Sequence, residues 1–427
     1  MLQSRVLHNQ ELSMISIILN WRKRIESIAS QEFINRHRLR PQDFTRNRCL
    51  SFAKVMAFLL KAAKKSLQIE CNFLAELLDE EPVTKQAMSK ARTKIGISAF
   101  QELHRDMIKD HYEGNPHHLW KGYRVFGGDG SNFQLPDERN IPEFFGSHFK
   151  YVSLARIVQY VELTTDTIVA PCIAPYAISE NVMARGLLSN LVHRMRSYGQ
   201  TQQLYVYDRG FASHQLAMEH IELGVDFLVR LPRNFNPKIE DIVNKRQETD
   251  FKIEINRPGK NYRARVIIKY LSSGQPLILL TSLSDKKFKT EEVVEAYRLR
   301  WRSEESYKFQ KFLLQLENYT GRTVHTTLQD YWSGVFIATA MSLFFLEKEE
   351  EINREEEKKT RINKSVVFAS MRDDFLKALL TGDQTDKIFK KFDKLCRRFR
   401  VPIRPNRSYP RLSNDTRRGR HIYRKCL

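Results

Sequence analysis

Tyr297-Arg-Leu-Arg300-Trp-Arg-Ser-Glu304-Glu305-Ser-Tyr-Lys-Phe-Gln-Lys311 sets an aromatic ring, two bases and an acid in the spacing Y-x2-R-x3-E-x6-K. On an α-helix, steps of three, four and seven residues return to one face. The spacing therefore predicts a helix over about 290–316, with Tyr297, Arg300, Glu304 and Lys311 in a single stripe. An acid among cations on one face can share a hard metal ion while its neighbours hold phosphate. Glu304 alone would be an ordinary acid on a charged helix, so the reading turns on carboxylates elsewhere.

Two aspartates qualify by position. Asp129 lies in Phe126-Gly-Gly-Asp129-Gly-Ser131 and ends a predicted strand that begins at 123; Asp208 lies in Val206-Tyr-Asp208-Arg-Gly210-Phe211 and ends another at 203–207. Further strands are predicted at 154–161, 167–170 and 226–230 from their alternating or continuous apolar runs. Helical rhythm at 181–198 and 213–223 separates them. Three strands, helix, strand, helix, strand predicts a mixed sheet with helices, not a purely parallel doubly wound one. The flanking glycines predict sharp backbone turns and close approach of a ligand. A glycine-flanked Asp after a strand is by itself an ordinary turn residue. Together with Glu304, however, acids at neighbouring strand ends can converge on two divalent cations for chemistry at phosphorus.

Around this centre the chain changes character several times. Residues 1–118 read as helical, through Phe52, Val55, Met56, Leu59, Leu60 and Ala63 and again through Phe73, Leu74, Leu77 and Leu78. A short helix is predicted between Thr84 and Gly96, with Gln86, Lys90, Arg92 and Lys94 giving it an exposed basic surface suited to a DNA groove. Residues 119–232 and 289–346 form the predicted core, interrupted at 233–288 by a β-rich insertion with Pro258-Gly259 and Ser272-Ser-Gly274 turns. Tyr331–Leu346 is a predicted apolar helix on that core. Residues 347–427 begin as a charged run read as a solvated helix or linker. They end in a tail, 395–427, with eleven Arg/Lys against one acid, Asp415.

The balance of 71 Lys+Arg against 50 Asp+Glu, a net charge of +21, points to a polyanionic partner, because neutralising phosphates releases counterions. The basic tail is expected to meet DNA phosphates. The 41% hydrophobic content is enough for cores in two or three domains. Five scattered cysteines without C-x-x-C spacing argue against a disulfide framework or a zinc site and fit a reducing cytoplasm. No apolar run reaches the length of a membrane span, so no membrane partner is expected; the apolar residues 12–19 sit inside a charged amphipathic pattern, not a signal peptide.

Asp129, the D-x-G-F stretch at 208–211 and the Y-x2-R-x3-E-x6-K stretch together resemble a DDE transposase, specifically the insertion-sequence-four family of bacterial mobile elements. The similarity in order and spacing runs from about 120 to 320, and the Gln86–Phe100 stretch resembles the family too. The third motif is the specific one. The resemblance implies an α/β fold: an RNase H-like mixed-sheet catalytic core with a β-rich insertion, preceded by an all-helical DNA-binding region. It implies cut-and-paste transposition by Mg²⁺-dependent cleavage at terminal inverted repeats and strand transfer into target DNA. Mn²⁺ is able to substitute, and two ions are expected. Asp129, Asp208 and Glu304 would be the metal ligands. Tyr297, Arg300 and Lys311 would contact DNA phosphate near the cut, and Arg209, beside Asp208, is also counted among the DNA-contacting residues. The implied partners are double-stranded DNA, both terminal repeats and target, and a second copy of the chain in a synaptic complex, in a bacterial cytoplasm at the nucleoid.

One departure stands out. Some members of the family form a DNA hairpin and hold a flipped base against aromatic residues, including a Trp in the β insertion. The four tryptophans here, Trp21, Trp120, Trp301 and Trp332, all lie outside 233–288. Phe235, Tyr262 or Tyr270 would have to replace that Trp, although each reads first as packing, and Trp301 reads as core. From the residues alone, two other functions stay open: an RNase H-like nuclease without strand transfer, and a transposase-derived DNA-binding protein without catalysis.

Overall fold

A computed structural model describes residues 26–60, 66–113, 118–138, 140–147, 152–257, 260–356, 359–381 and 385–403. Trp21, Cys426, the 12–19 run and the tail beyond 403 lie outside the described residues. The chain falls into two compact units. One comprises the described residues up to Phe100, Leu328–Ile337 and those from Leu343 onward. The other comprises Gln101–Thr327 with Ala338–Ser342.

The second unit is built on one eight-stranded sheet in the order β3-β2-β1-β4-β5-β8-β7-β6. The strands are β1 (Arg124–Gln134), β2 (Leu154–Glu162), β3 (Thr167–Pro175), β4 (Gln203–Tyr207), β5 (Asp226–Arg230), β6 (Thr249–Arg257), β7 (Lys260–Tyr270) and β8 (Pro276–Thr281). Only β1, β4 and β5 run parallel to one another; every other neighbouring pair is antiparallel. The first five strands stand where alternation predicts them, and the sheet is mixed as expected. The β-rich segment is not a separate layer: β8 pairs with β5, so β8, β7 and β6 extend the same sheet. Paired edges satisfy backbone groups that a free-standing hairpin would leave to water.

Side-chain parity fixes the two faces of the sheet. In β4, Leu204 and Val206 enter one apolar cluster, and Tyr205 and Tyr207 the other. The tyrosine face packs against the helices Glu180–Ser197, His214–Glu222 and Pro237–Asn244 through Leu188, Val192, Leu216 and Ile239. The Leu204 face packs against Val293, Ala296 and Tyr297 of the helix Thr290–Arg298. At the start of β1, Arg124 Nη1 meets Glu162 Oε1 at 3.0 Å and Tyr112 Oη donates to Glu162 Oε2 at 2.7 Å, all buried. A charge pair this deep holds only because its remaining polar atoms are also bonded.

In the first unit, Lys85–Arg92 is a helix capped by Thr84, whose side chain accepts from Ala87 N. Gln86 and Lys90 are exposed, as the sequence predicts. Arg92 is not; it is 2% exposed, with Nη2 2.6 Å from Asp330 Oδ1 and Nε donating to Gln329 Oε1 at 3.0 Å. An arginine enclosed by a carboxylate and an amide is a packing anchor, so it is withdrawn from the predicted DNA surface. Lys94 is half-buried, 3.8 Å from Asp43.

The predicted apolar helix at 331–346 runs from Val324 to Glu355, through much of the charged run read as a solvated helix or linker. Lys348, inside that run, is buried, 2.5 Å from Asp393 and 2.7 Å from Glu351. Opposite charges on facing helices explain why this acidic stretch packs.

Candidate active site

Parallel pairing aligns Gly127 with Val206 and Gly128 with Tyr207, and there the β1–β4 ladder ends. The next residue on each strand is an aspartate. Asp129 and Asp208 are therefore side by side just beyond the last paired residues, on the parity of Val206. The β4–β5 register ends at Tyr207 opposite Val229, which sets Arg230 next to Asp208 on the other side. A row of Asp129, Asp208 and Arg230 thus crosses the sheet where its parallel pairing ends, on the carboxyl side on which open α/β sheets present their ligands.

Asp129 does not end its strand, contrary to expectation. β1 continues to Gln134 because β2 goes on pairing with it, Asp129 opposite Gln159, after β4 has stopped. The glycines beside Asp129 are not turns either: none of Gly127, Gly128 or Gly130 has a positive φ. Their role is room for neighbours. A Cβ on Gly127 would lie 2.2 Å from Ser303 Oγ, so the helix Trp301–Lys308 closes directly onto β1.

That helix brings Glu304. The predicted single helix over 290–316 is three pieces: Thr290–Arg298, Trp301–Lys308 and a π-helical turn Phe309–Leu313. Arg300, Arg302 and Ser303 donate to carbonyls three residues back, which tightens the link between the first two pieces. Tyr297, Arg300 and Glu304 stay in contact along one side, while the π turn shifts the angular phase between Glu304 and Lys311. Four hydrogen bonds fasten the segment to the strands. Tyr307 Oη donates to Asp129 O at 2.9 Å. Gln310 and Gln159 exchange amide bonds at 2.8 and 2.9 Å. Lys311 Nζ donates to Asn132 O at 2.5 Å.

Electrostatics link the three acids. Burial pushes the Asp129 carboxyl up to about 7; Arg300 opposes this, while Asp208 and Glu304 add to it. Glu304 Oε1 accepts from Arg300 Nη2 at 2.7 Å. Burial works against the Arg300 charge, but Tyr297, Glu304 and Asp129 outweigh it and raise its pKa. Asp208 Oδ1 accepts from Gly210 N at 2.7 Å and caps the short 3₁₀ turn Arg209–Phe211, on which Arg209 is exposed.

The remaining predicted contacts are placed differently from an exposed stripe. Tyr297 is buried under the sheet, its ring 5.9 Å from Arg300 Cζ. Lys311 is half-buried over the Phe133 ring, and burial lowers its pKa. Trp301, read as core, is 46% exposed beneath Lys308 Nζ at 5.0 Å. Tyr262 donates to Glu222 and Tyr270 to the Val243 carbonyl, so both phenols are engaged within the fold. Arg230 was missed by sequence reading. Its one signal was its place at the end of the strand after Asp208, which counts only once the strands are known to be parallel neighbours.

Among the described residues, no three of His, Cys, Asp and Glu converge tightly enough to ligate one ion as they stand. In kind, the donors fit a hard divalent cation: all are carboxylate oxygens, and Asp129 is a half-buried acid whose charge two neighbouring acids oppose. Glu304 Oε1 is engaged by Arg300, so ligation through that oxygen would displace the guanidinium.

Residues 168–332 match the family described as Transposase DDE domain. That span contains Asp208, Arg230 and Glu304 and begins after Asp129. The chain is similar to a protein of Escherichia coli (strain K12) named "Putative transposase InsZ", at 26% identity over 164 residues, covering 33% of this chain and 54% of the relative. The match thus spans about half the length of that relative. Among solved structures, the chain resembles a piggyBac transposase in a synaptic complex with hairpin DNA, with TM-score 0.45 and 12% identity over 92% of this chain and 86% of the other. No helix among the described residues is long and apolar enough to cross a membrane.

Proposed function

We propose that this chain is a DNA transposase of the insertion-sequence-four type, with an RNase H-like core that cuts DNA at an element's ends and joins the ends to target DNA. The observation that carries the reading is the adjacency of Asp129 and Asp208 past the β1–β4 ladder, with Glu304 coupled to them. The match of residues 168–332 to a transposase domain supports it.

In this reading Asp129, Asp208 and Glu304 hold the metal, Mg²⁺ or Mn²⁺. A divalent cation held by these carboxylates would supply Lewis acidity at phosphorus and lower the pKa of a bound water or 3′-hydroxyl. Arg300 changes partner, from Glu304 to a DNA phosphate. Its guanidinium is suited to both because carboxylate and phosphate present the same bidentate edge. Arg230 and Arg209 flank Asp208 and hold the scissile strand against it. Tyr297 supports Arg300 from beneath. Gln86 and Lys90 contribute to end binding, and two copies of the chain hold two ends together.

The test uses a labelled duplex carrying the inverted repeat that flanks the reading frame, a plasmid target, and Mg²⁺ or Mn²⁺. Cleavage plus a joined product is expected from the wild type. Asp129→Asn, Asp208→Asn and Glu304→Gln should each lose both products and keep end binding. Cleavage without joining makes the chain a hydrolytic nuclease, and binding alone makes it a DNA-binding module. Wild-type rates in any of the three variants remove that residue from the site.

A further inference from the structure

The helix Thr385–Arg398 has two faces of opposite character. Ile388, Phe392 and Cys396 are buried, with Phe392 packed near the rings of Phe344 and Phe345. Asp393 also turns inward, onto Lys348 and Arg397. The exposed residues are Lys387, Lys390, Lys391, Lys394 and Arg398. Lys391 reaches Asp374 at 2.6 Å. Among the described residues no acid pairs with the other four. Their steps of three, four and four residues align them in one stripe.

Among the described residues, no carboxylate contact accounts for that stripe. Like charges three and four residues apart on a helix repel. A cation in the first turn, such as Lys387, also opposes the helix dipole; only Arg398, in the last turn, is favoured by it. Clustered like charges of this kind favour a bound polyanion. An anionic membrane fits poorly, because the apolar face that would enter the bilayer is already buried in the fold. Duplex DNA fits in length. The stripe spans roughly 16 Å at the rise of an α-helix, and one DNA strand presents about five phosphates over that distance. The chain beyond it adds eight more Arg/Lys between 404 and 425.

We propose that Lys387, Lys390, Lys394 and Arg398 form a sequence-independent docking surface for the phosphate backbone of duplex DNA. The surface is distinct from the carboxylate centre and does not rest on the catalytic reading: a chain that binds here and never cuts leaves this proposal standing.

The experiment measures binding of the full chain to a labelled mixed-sequence duplex from 50 to 200 mM NaCl, for wild type and for the combined Lys387→Gln, Lys390→Gln, Lys394→Gln, Arg398→Gln variant. Each lost phosphate contact lowers the slope of log K against log salt by about 0.9, so a fall of about 3 to 4 is expected for all four. Affinity at 100 mM salt should fall at least ~10-fold. The single substitutions, each on the exposed face, should each lower the slope by about 0.9 and keep the reading secure if the combined variant folds poorly. Lys391→Gln, whose charge is already engaged, should change the slope less than any of them. An unchanged slope in the single variants overturns the proposal. So does loss of binding to phosphatidylserine vesicles with DNA binding intact.

Discussion

Replacing Asp129 by Asn should stabilise the metal-free protein at pH 8 while abolishing the proposed DNA cleavage. The folded carboxyl is held near 7, against an ordinary value of 3.8, first by burial and then by Asp208 and Glu304. The folded chain therefore keeps a proton that the unfolded chain releases. Stability is greatest below the unfolded pKa and declines as the pH rises toward the folded one, with no further loss well above it. Roughly three pKa units correspond to about 4 kcal/mol, an upper bound for a fully enclosed group. Asp129 keeps some solvent contact, so about 2 kcal/mol is the working figure. An amide stays neutral throughout and still accepts from Gly130 N, as Asp129 Oδ1 does at 2.9 Å. The assay is urea unfolding of both proteins in EDTA at pH 4 and pH 8. The two should be nearly equal at pH 4, with the variant more stable at pH 8. A difference that does not vary with pH would refute the reasoning, as would a wild type that gains stability between pH 4 and 8 relative to the variant. Adding Mg²⁺ or Mn²⁺ at pH 8 should then raise the wild type and leave the variant where it was.

Gln310→Leu strands the buried Gln159 amide and should cost about 1–3 kcal/mol in urea unfolding. It should also slow DNA cleavage, because the turn that seats Glu304 loosens; an unchanged rate would separate that turn from the site. Arg92→Ala leaves Asp330 and Gln329 without their buried partner and should destabilise by about 3–5 kcal/mol. DNA salt dependence unaltered in any residual folded protein would agree with its place in the packing, and a lost phosphate contact would contradict it. For Lys311→Ala, a salt slope lower by about 0.9 would show that the lysine leaves Asn132 for phosphate. A slope equal to wild type, with stability lowered, would keep it as the fastening on β1.

The parts of the fold that were legible in the sequence are those set by neighbours along the chain. Alternation located the first five strands, and the spacing around Glu304 marked a helix whose Arg300–Glu304 contact does form. The parts that were not legible depend on what packs against what. Arg92 and Gln86 look alike as polar residues of one short helix, yet Asp330, 238 positions away, takes the arginine into the interior. Trp301 has the composition of a core residue, but its helix turns that face outward. The glycines around Asp129 read as turns, because nothing local reveals that Ser303 comes to lie against Gly127.

By itself, the sequence determined which acids were available and which face of each strand they occupy, since side-chain parity in a strand has a period of two and needs no partner. The tertiary structure decided that Asp129, Asp208 and Arg230 are neighbours, because strand register is a long-range pairing that no local pattern encodes. It also decided that Lys311 fastens a turn, not the end of a regular stripe. A π turn alters the helix phase between Glu304 and Lys311, and that departure is imposed by docking onto β1 and β2.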